Sequence, residues 1–345
     1  MEKEELNNWI SDILPQHKLL TSSVVSIIKS LLDKENIDYL SVTGRTKDKK
    51  SIVEKVNRKS YKNPKDDLTD VSGIRIIVYF ESDIKKISKL INSSFNVDKK
   101  NSLDKDTLLA TNEIGYRSVH FVCDLGKKRA VLPEFETTKN LKFEFQVRTV
   151  LQHAWAELAH DRNYKFTGKL PPELERKLYL YAGMLEIADK GFDELSNQII
   201  EYTTQIEKKV QKGNLDIEIN SISLEEFVYN WAKENDYSIP KIHDKDLLSE
   251  VINELNQFSI YKISELEQII PKNYAEKSKN LDDYQTIFGL LRNWMIINDF
   301  KKFSNVDINW FFEEKDIYIY SKFLSKKELD EFRTLYQHKI IGSEE

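Results

Sequence analysis

Residues Leu141–Lys165 place a strand directly before a helix, and this junction constrains the fold more than any other stretch. Apolar and polar residues alternate from Phe143 to Arg148, which is the period of a strand with one buried face. The spacing then becomes helical and brings four polar side chains to one helix face: His153, Glu157, His160 and Tyr164. We therefore expect a strand that presents Glu144 and Arg148 on its polar face, followed by a helix rich in polar chemistry.

Helical and strand-like patterns alternate through the first 210 residues. An apolar stripe predicts one or two helices over residues 5–34, interrupted near Pro15, and a long helix is expected from Pro172 to about Lys209. Strands are predicted at residues 37–42, 74–80, 117–125 and 143–148. This order indicates an α/β (α+β) fold with a mixed sheet flanked by helices.

The sequence changes character at Lys212–Asn214. Beyond it, helical patterns dominate, with a capping box predicted at Ser223 and Glu226 and one short strand at Ile317–Tyr320. We therefore expect two domains, residues 1–212 and a mainly helical domain over residues 213–345.

Composition excludes several classes of protein. The net charge of −5 excludes a globally basic nucleic-acid binder, and the single Cys123 excludes an internal disulfide framework and a cysteine zinc site. No apolar run approaches membrane-spanning length, and the N-terminus lacks the pattern of a signal peptide. We expect a cytoplasmic protein without a membrane partner.

One segment departs from the acidic average. Residues 45–65 contain nine basic and two acidic residues, a net charge of +7. Arg45, Lys47, Ser51 and Lys55 lie before and within the first turns of a predicted helix, where cations and a helix N-terminus favour a phosphate. The alternative interpretation is an ordinary solvated basic helix.

Two carboxylates lie beside arginines at predicted strands. Asp70 lies just before one predicted strand and five residues before Arg75, which belongs to that strand. Glu144 lies on another predicted strand, four residues before Arg148. Carboxylates that hold Mg²⁺ beside cations that hold phosphate are the layout of phosphoryl transfer. Alone, the same residues are equally compatible with a capping Asp and a solvated strand Glu.

Residues Gly115–His120 and the helix after Glu144 add further candidates. Gly115 allows close approach of a ligand to the backbone and Tyr116 is able to stack on a base, although a core Tyr and a satisfied His120 explain the segment better when it is taken alone. His153, Glu157 and His160 follow the pattern H-x3-E-x2-H rather than HExxH, so a zinc protease site is not indicated. A His–Glu network that supports the neighbouring strand fits better.

Taken together and in order, these motifs resemble the synthetase domain of the RelA/SpoT alarmone synthetases over residues 40–200. The resemblance rests on Arg45-x-Lys47-x3-Ser51-Ile52-x2-Lys55, Asp70-Val71-Ser72-Gly73-Ile74-Arg75, Gly115-Tyr116-Arg117-Ser118-Val119-His120, Glu144-Phe145-Gln146-Val147-Arg148-Thr149 and the His153–Lys165 helix. It implies a nucleotidyltransferase-like mixed sheet and Mg²⁺-dependent transfer of pyrophosphate from ATP to the 3′-hydroxyl of GDP or GTP, giving (p)ppGpp.

The resemblance also implies a role for each motif residue. Asp70 and Glu144 would be catalytic metal ligands, with Glu144 also a candidate base. ATP would contact Arg45, Lys47, Ser51, Lys55 and Arg75. The acceptor would contact Tyr116, Gln146, Arg148, His153 and Lys165. Supporting positions would be Gly115, His120, Glu157 and His160.

Residues 110–114 depart from the family pattern, because they lack the Lys that often precedes the Gly-Tyr pair. Three hypotheses therefore stay open: a guanosine polyphosphate synthetase, a toxic relative that modifies the tRNA 3′ end or makes adenosine alarmones, and a non-catalytic nucleotide sensor. Retention of both carboxylates disfavours the last. Whether residues 213–345 drive homo-oligomer formation, or bind a regulatory or antitoxin partner, is not determined by the sequence.

Overall fold

The computed structural model describes residues 3–104, 118–165, 171–241, 246–279 and 285–341. The chain divides into two compact units, Met1–Asn197 and Gln198–Glu345. One continuous helix, Pro172–Gln211, contains the division point. Nowhere in the described ranges is a helix both long enough and apolar enough to cross a membrane.

The first unit is built on six strands that form one sheet. They are β1 (Ser41–Thr46), β2 (Ser72–Val78), β3 (Asn96–Val97), β4 (Leu103–Asp104), β5 (Val119–Asp124) and β6 (Phe143–Thr149). The helices of this unit are α1 (Lys3–Lys34), α2 (Lys49–Lys59), α3 (Pro64–Asp67), α4 (Glu81–Ser94), α5 (Lys127–Ala130), α6 (Val150–Lys165) and the first part of α7 (Pro172–Gln211). The expected mixed sheet with flanking helices is confirmed.

The sheet has the strand order β1-β2-β6-β5-β3, with β4 paired to β5. Strands β2 and β6 are parallel, whereas the β1–β2 and β5–β6 pairs are antiparallel. One face is apolar and carries side chains such as Ile74, Ile76, Phe143 and Phe145, which pack with stripes from α1 and α4 in a single core. The alternation in each strand therefore turns every second side chain to the opposite face.

Helix α1 packs closely against the sheet and also positions α2. A Cβ at Gly44 would lie 2.6 Å from Cγ2 of Thr21, so glycine permits α1 to approach β1. A second small core joins the start of α1 to α2 through residues such as Ile10, Ile52 and Val56. This packing fixes the basic helix beside the edge of the sheet.

Three sequence predictions about local structure in this unit need correction. The first strand covers Ser41–Thr46 rather than 37–42, so Arg45 lies on β1, four residues before α2 begins at Lys49. Helix α1 continues through Pro15 without interruption. Strands β3 and β4, at residues 96–97 and 103–104, are not among the strands predicted from the sequence, and residues 105–117 lie outside the described part.

The second unit is helical around its own core. Besides the end of α7 it contains α8 (Ser221–Glu234), α9 (Asp246–Gln257), α10 (Ile263–Gln268), α11 (Tyr274–Ser278), α12 (Ile287–Phe303), α13 (Glu314–Tyr320) and α14 (Lys326–Leu335). Two predictions were wrong here. Residues Ile317–Tyr320 are helical, with Ile317, Ile319 and Tyr320 all buried, and α8 is capped by Asn220 and Ser223 instead of Ser223 and Glu226.

Candidate active site

Polar side chains from neighbouring strands line up on the face of the sheet opposite the apolar core. The strand register places Arg45, Gly73 and Glu144 side by side across β1, β2 and β6. One step along the strands, Arg75 lies beside Gln146, and Gln146 lies beside His120 of β5. Most of these residues, together with Asp70 and residues of α2, line a cavity of about 630 Å³.

Asp70 lies two residues before β2 and is held by two lysines. Lys47 donates to its Oδ2 and, at 2.9 Å, to its backbone oxygen, and Lys55 Nζ lies 2.5 Å from the same Oδ2. No donor from the described residues reaches the buried Oδ1. Burial opposes ionisation of Asp70, but the hydrogen bonds and charges of the lysines outweigh it and lower its pKa.

Glu144 is held in a similar way by His120 and Gln146. His120 Nδ1 lies 2.7 Å from Oε1, and Gln146 Nε2 donates to the same oxygen at 2.9 Å. Ser118 Oγ contacts His120 Nε2 at 2.6 Å, which fixes the ring from behind. Burial raises the pKa of Glu144, but contacts with His120 and Gln146 lower it further than burial raises it. Both partners reach Oε1, and no bond from the described residues to Oε2 is present.

A group of cations lies beyond Gln146 on the same face. Arg75 Nη1 donates to Glu157 Oε1 at 3.0 Å, while His153 Nδ1 is 3.6 Å from that oxygen, too long for a hydrogen bond. Among the described residues, Nε of the half-buried Arg148 has no partner. Burial and the charge of Arg75 lower the pKa of Arg148, so an anion bound here would relieve the repulsion between two guanidinium groups.

Helix α2 contributes its side chains to the cavity, but its N-terminus is already capped. Asp48 accepts from the backbone N–H of Ser51 at 2.8 Å and from its hydroxyl at 3.0 Å. A phosphate at this helix end would have to displace the Asp48 carboxylate. The cations Lys47, Lys55 and Arg58 are therefore better placed than the helix amides to attract an anion.

The donor set fits a hard metal ion better than zinc. Among the described residues, Oδ1 of Asp70 has no partner, and the contacts of Glu144 with His120 and Gln146 are made by Oε1. Mg²⁺ is usually held by one or two carboxylates together with water and phosphate oxygens. In the parts of the chain that the structure describes, no group of three or more His, Cys, Asp and Glu could hold a metal. The site therefore suits Mg²⁺ that arrives with a nucleotide.

Some sequence candidates are not located by the structure. Gly115 and Tyr116 lie outside the described residues. His160 and Lys165 belong to α6, but the description does not extend to their side chains. The structure otherwise brings the candidate residues of β1, α2, β2, β5, β6 and the start of α6 to one face of the first unit.

Several residues of the site were not among the candidates predicted from the sequence. Ser118 holds His120, and Thr43, Arg58 and Gly73 line the cavity. Ser118 and His120 are two residues apart on a strand, a spacing that places both on one face. Arg58 lies seven residues after Ser51, a helical spacing that places it on the same side of α2.

Comparison with known proteins gives consistent matches. The family model described as "Region found in RelA / SpoT proteins" matches residues 44–169. GTP pyrophosphokinase YjbM of Bacillus subtilis (strain 168) is 29% identical over 218 residues, which cover 60% of this chain and 96% of that protein. GTP pyrophosphokinase YwaC of the same organism is 30% identical over 186 residues, covering 51% and 84%. The structure of small alarmone synthetase 1 from Bacillus subtilis is similar with a TM-score of 0.48 and 26% identity, covering 56% of this chain and 99% of that one.

Proposed function

The chain belongs to the RelA/SpoT family, and we propose that it is a GTP pyrophosphokinase that transfers pyrophosphate from ATP to the 3′-hydroxyl of GDP or GTP. The products are ppGpp from GDP and pppGpp from GTP, with AMP released. The relatives named as GTP pyrophosphokinases are matched over nearly their whole length, which supports the activity for the first unit of this chain.

The arrangement of Asp70 and Glu144 carries the proposal. Each carboxylate lines the same cavity, each is ionised at neutral pH, and each has one oxygen fixed by neighbours while the other has no partner in the described residues. A purely structural carboxylate in a half-buried position would normally use both oxygens. The free Oδ1 of Asp70 supports a binding site for Mg²⁺, which would neutralise charge on the transferred phosphates when bound, and the position of Glu144 supports a second metal ligand or a general base.

The distribution of cations supports a different side of the cavity for each substrate. Lys47 and Lys55 lie at Asp70, and Arg45 and Arg58 line the cavity nearby, so we place the ATP phosphates here. Arg75 is positioned to bridge the two substrates, because it lies between Thr43 of β1 and Gln146 of β6. Ser51 is bonded to Asp48 and would join the ATP site only after a change of hydroxyl rotamer.

The acceptor is assigned to the other side. Gln146, Arg148 and His153 follow Glu144 along β6 and into α6, and Lys165 ends that helix. Arg148 supplies a guanidinium group with an unused N–H for an acceptor phosphate. Tyr116, from the stretch outside the described residues, is proposed to stack on the acceptor base.

In the proposed reaction, the acceptor 3′-oxygen attacks the β-phosphorus of ATP. The bond between that phosphorus and the oxygen that bridges it to the α-phosphate breaks. Glu144 Oε2 accepts the proton of the 3′-hydroxyl, while His120 and Gln146 hold Oε1. Lys47 and Lys55 stabilise the negative charge that develops on the phosphoryl oxygens. AMP leaves with the bridging oxygen.

The direct test incubates the full chain with Mg²⁺ and γ-labelled ATP and offers GDP, GTP, ATP or tRNA separately. We expect label on GDP and GTP. Glu144→Gln should reduce transfer by about 10²–10⁴-fold, since it removes the base but keeps the shape of the side chain. The control is Glu136→Gln, which makes the same chemical change in an exposed salt bridge with Lys139. It should not change the rate of transfer.

Each other outcome contradicts part of the proposal. Label on tRNA or on ATP would keep pyrophosphate transfer but replace the guanosine acceptor, as in the toxic or adenosine-directed relatives. Absence of transfer to every acceptor, by protein that binds ATP and has native circular dichroism, would favour a nucleotide sensor. Near-normal activity of Glu144→Gln would overturn the role of Glu144.

A further inference from the structure

A second cavity lies beside helix α1 in the first unit. It measures about 210 Å³ and shares no lining residue with the cavity that contains Asp70 and Glu144. Apolar side chains form much of its wall, among them Trp9, Leu68 and Leu141. The volume equals that of roughly seven water molecules in the liquid, so the cavity has room for a small ring compound.

His17 is the buried polar group of this cavity. The residue is 4% exposed, and its Nδ1 lies 2.8 Å from Ser72 Oγ. The Ser72 hydroxyl donates its one hydrogen to the backbone oxygen of His17 at 3.1 Å, so the ring must donate in the contact with Nδ1. Burial lowers the pKa of His17 to about 4, and the ring is therefore neutral at pH 7. Nδ1 then carries the hydrogen and Nε2 carries a lone pair.

The lone pair of Nε2 is the hydrogen-bond acceptor that remains for a ligand. No hydrogen bond from the described residues reaches this atom. A buried acceptor without a partner is unfavourable, and a ligand with an N–H group would satisfy it. A buried water usually makes about three hydrogen bonds, which a lone acceptor among apolar walls does not supply. His17 therefore favours a ring compound that donates one hydrogen bond.

The charged residues at the cavity favour a ligand with one negative charge. Two lysines and one aspartate line it, namely Lys65, Lys142 and Asp66, which gives a sum of +1 while His17 is neutral. Lys142 already bonds Asp98 at 2.7 Å. The exposed pair of Lys65 with Glu5 is 3.6 Å long, beyond hydrogen-bond distance, so a bound anion is able to compete for this ammonium group.

The cavity is connected to the catalytic carboxylate by short links in the chain. Val71 lines the cavity and follows Asp70 directly, and its backbone oxygen accepts from the N–H of Lys47 at 2.9 Å. The side chain of Lys47 in turn bonds Asp70. His17 holds Ser72, two residues after Asp70. A ligand that packs against Val71 and His17 would therefore restrict the movement of Asp70 and Lys47.

We propose that this cavity is an effector site for a small planar monoanion whose ring N–H donates to Nε2 of His17 and whose ring packs against Trp9. Its occupancy is coupled to nucleotide binding through Val71 and Lys47. The coupling rests on the ATP site proposed above, whereas binding of the effector does not.

Indole-3-acetate is the probe, because it combines a flat apolar ring, one N–H donor and one negative charge. Its 1-methyl derivative lacks the donor and is the matched compound. Titration calorimetry of the full chain should show saturable binding of indole-3-acetate and at least about tenfold weaker binding of the methyl derivative. Equal affinities for the two compounds, or no binding of either, overturn the site.

A variant of His17 tests the acceptor atom directly. In His17→Asn, the amide is able to donate to Ser72 from nearly the place of Nδ1, but nothing replaces Nε2. The affinity for indole-3-acetate should fall about tenfold, and the difference between the two compounds should disappear. His338→Asn makes the same change at an exposed position and should leave both affinities unchanged. Ile13→Trp, which fills the cavity from a half-buried position, should abolish binding of the probe. Unchanged binding in His17→Asn and Ile13→Trp contradicts the proposed location.

The coupling is measured by repeating the titration with saturating Mg²⁺ and a non-hydrolysable ATP analogue. The affinity for indole-3-acetate should change by about fivefold or more, and the affinity for the analogue should change by the same factor when the probe is present. Equal probe affinity with and without the bound analogue overturns the coupling. If the analogue itself does not bind, the proposed ATP site is wrong, while the two indole compounds still decide whether the effector site exists.

Discussion

At the scale of single residues, the site is organised by which oxygen of each carboxylate is occupied. His120 and Gln146 both end on Oε1 of Glu144, and Lys47 and Lys55 both end on Oδ2 of Asp70. The fixed oxygen sets the orientation of the carboxylate, and the other oxygen remains available. Ser118 in turn fixes the ring of His120, because its hydroxyl contacts the ring nitrogen that faces away from Glu144. We therefore propose that His120 is a positioning residue for Glu144.

We predict that His120→Ala lowers kcat by about 10–100-fold with little change in the KM for ATP, a magnitude typical of groups that orient a ligand or base. His120→Asn should recover much of the loss, because an Asn amide is able to donate from nearly the place of Nδ1. Steady-state kinetics of the two variants checks this, with exposed His338→Ala as the control. Equal loss in His120→Ala and His120→Asn would mean that ring packing, and not the hydrogen bond, is what matters.

At the scale of elements, helix α7 holds the end of the strand that carries Glu144. Thr149, the last residue of β6, donates to Asp189 at 2.6 Å, and Asp193 of the same helix caps the start of α4. Burial, with smaller contributions from Glu81 and Asp193, raises the pKa of Asp189 to about 6, although the bond from Thr149 acts in the other direction. A carboxyl group that titrates near neutrality thus lies in the contact between α7 and β6.

This raised pKa predicts a pH dependence of stability. The folded state binds the Asp189 proton more tightly than the unfolded state, whose value is 3.8, so the free energy of unfolding falls as pH rises from about 4 to about 6. Asp189→Asn should flatten this slope and raise the free energy of unfolding at pH 7.5 by about 1–3 kcal/mol. Urea unfolding of the wild type, Asp189→Asn and the control Glu194→Gln measures it. A loss of stability in Asp189→Asn at pH 7.5 would mean that the carboxylate is ionised and well paired.

Elements with strong periodicity were predictable from the sequence, and elements defined by packing were not. The change from period 2 to helical spacing located β6 and α6 to within a few residues. Strand β1 was predicted about four residues too early because Gly44 weakens the strand pattern, and its place is set by α1 packing over Gly44. The helix at Ile317–Tyr320 was taken for a strand because four apolar and aromatic residues in a row fit both periods.

The candidate site was predictable to a similar extent. The order and spacing of the motifs along the chain identified Asp70, Glu144 and the cations as candidates. The pairing of His120 with Glu144 could not be deduced, since it depends on the register between β5 and β6. The capping of α2 by Asp48 was also missed, although an Asp three residues before Ser51 is a common cap.

At the scale of the whole molecule, two units have separate cores. The core of the second unit includes Ile206 and Val210 from the end of α7 and is centred on Trp294, which packs edge-on against Trp231 at 4.9 Å. The sequence predicted a boundary at residues 212–213, after the helix ends, whereas contacts divide the chain within the helix, after Asn197. We propose that the units unfold as separate cooperative units despite this shared helix.

Separate unfolding predicts that the two transitions respond to different changes. Mg²⁺ with a non-hydrolysable ATP analogue at about 100 times its Kd should stabilise only the first unit, by about 2.7 kcal/mol. Trp294→Ala should destabilise only the second unit, by about 3–5 kcal/mol, because it leaves a cavity in a fully buried site. Phe145→Ala, in the core of the first unit, is the matched variant and should lower only the transition that the nucleotide raises. Calorimetry of the wild type, Trp294→Ala and Phe145→Ala, each with and without the nucleotide, shows which transition each change shifts. If Trp294→Ala and the nucleotide shift the same transition, the chain unfolds as one cooperative unit and the continuous helix couples its two cores.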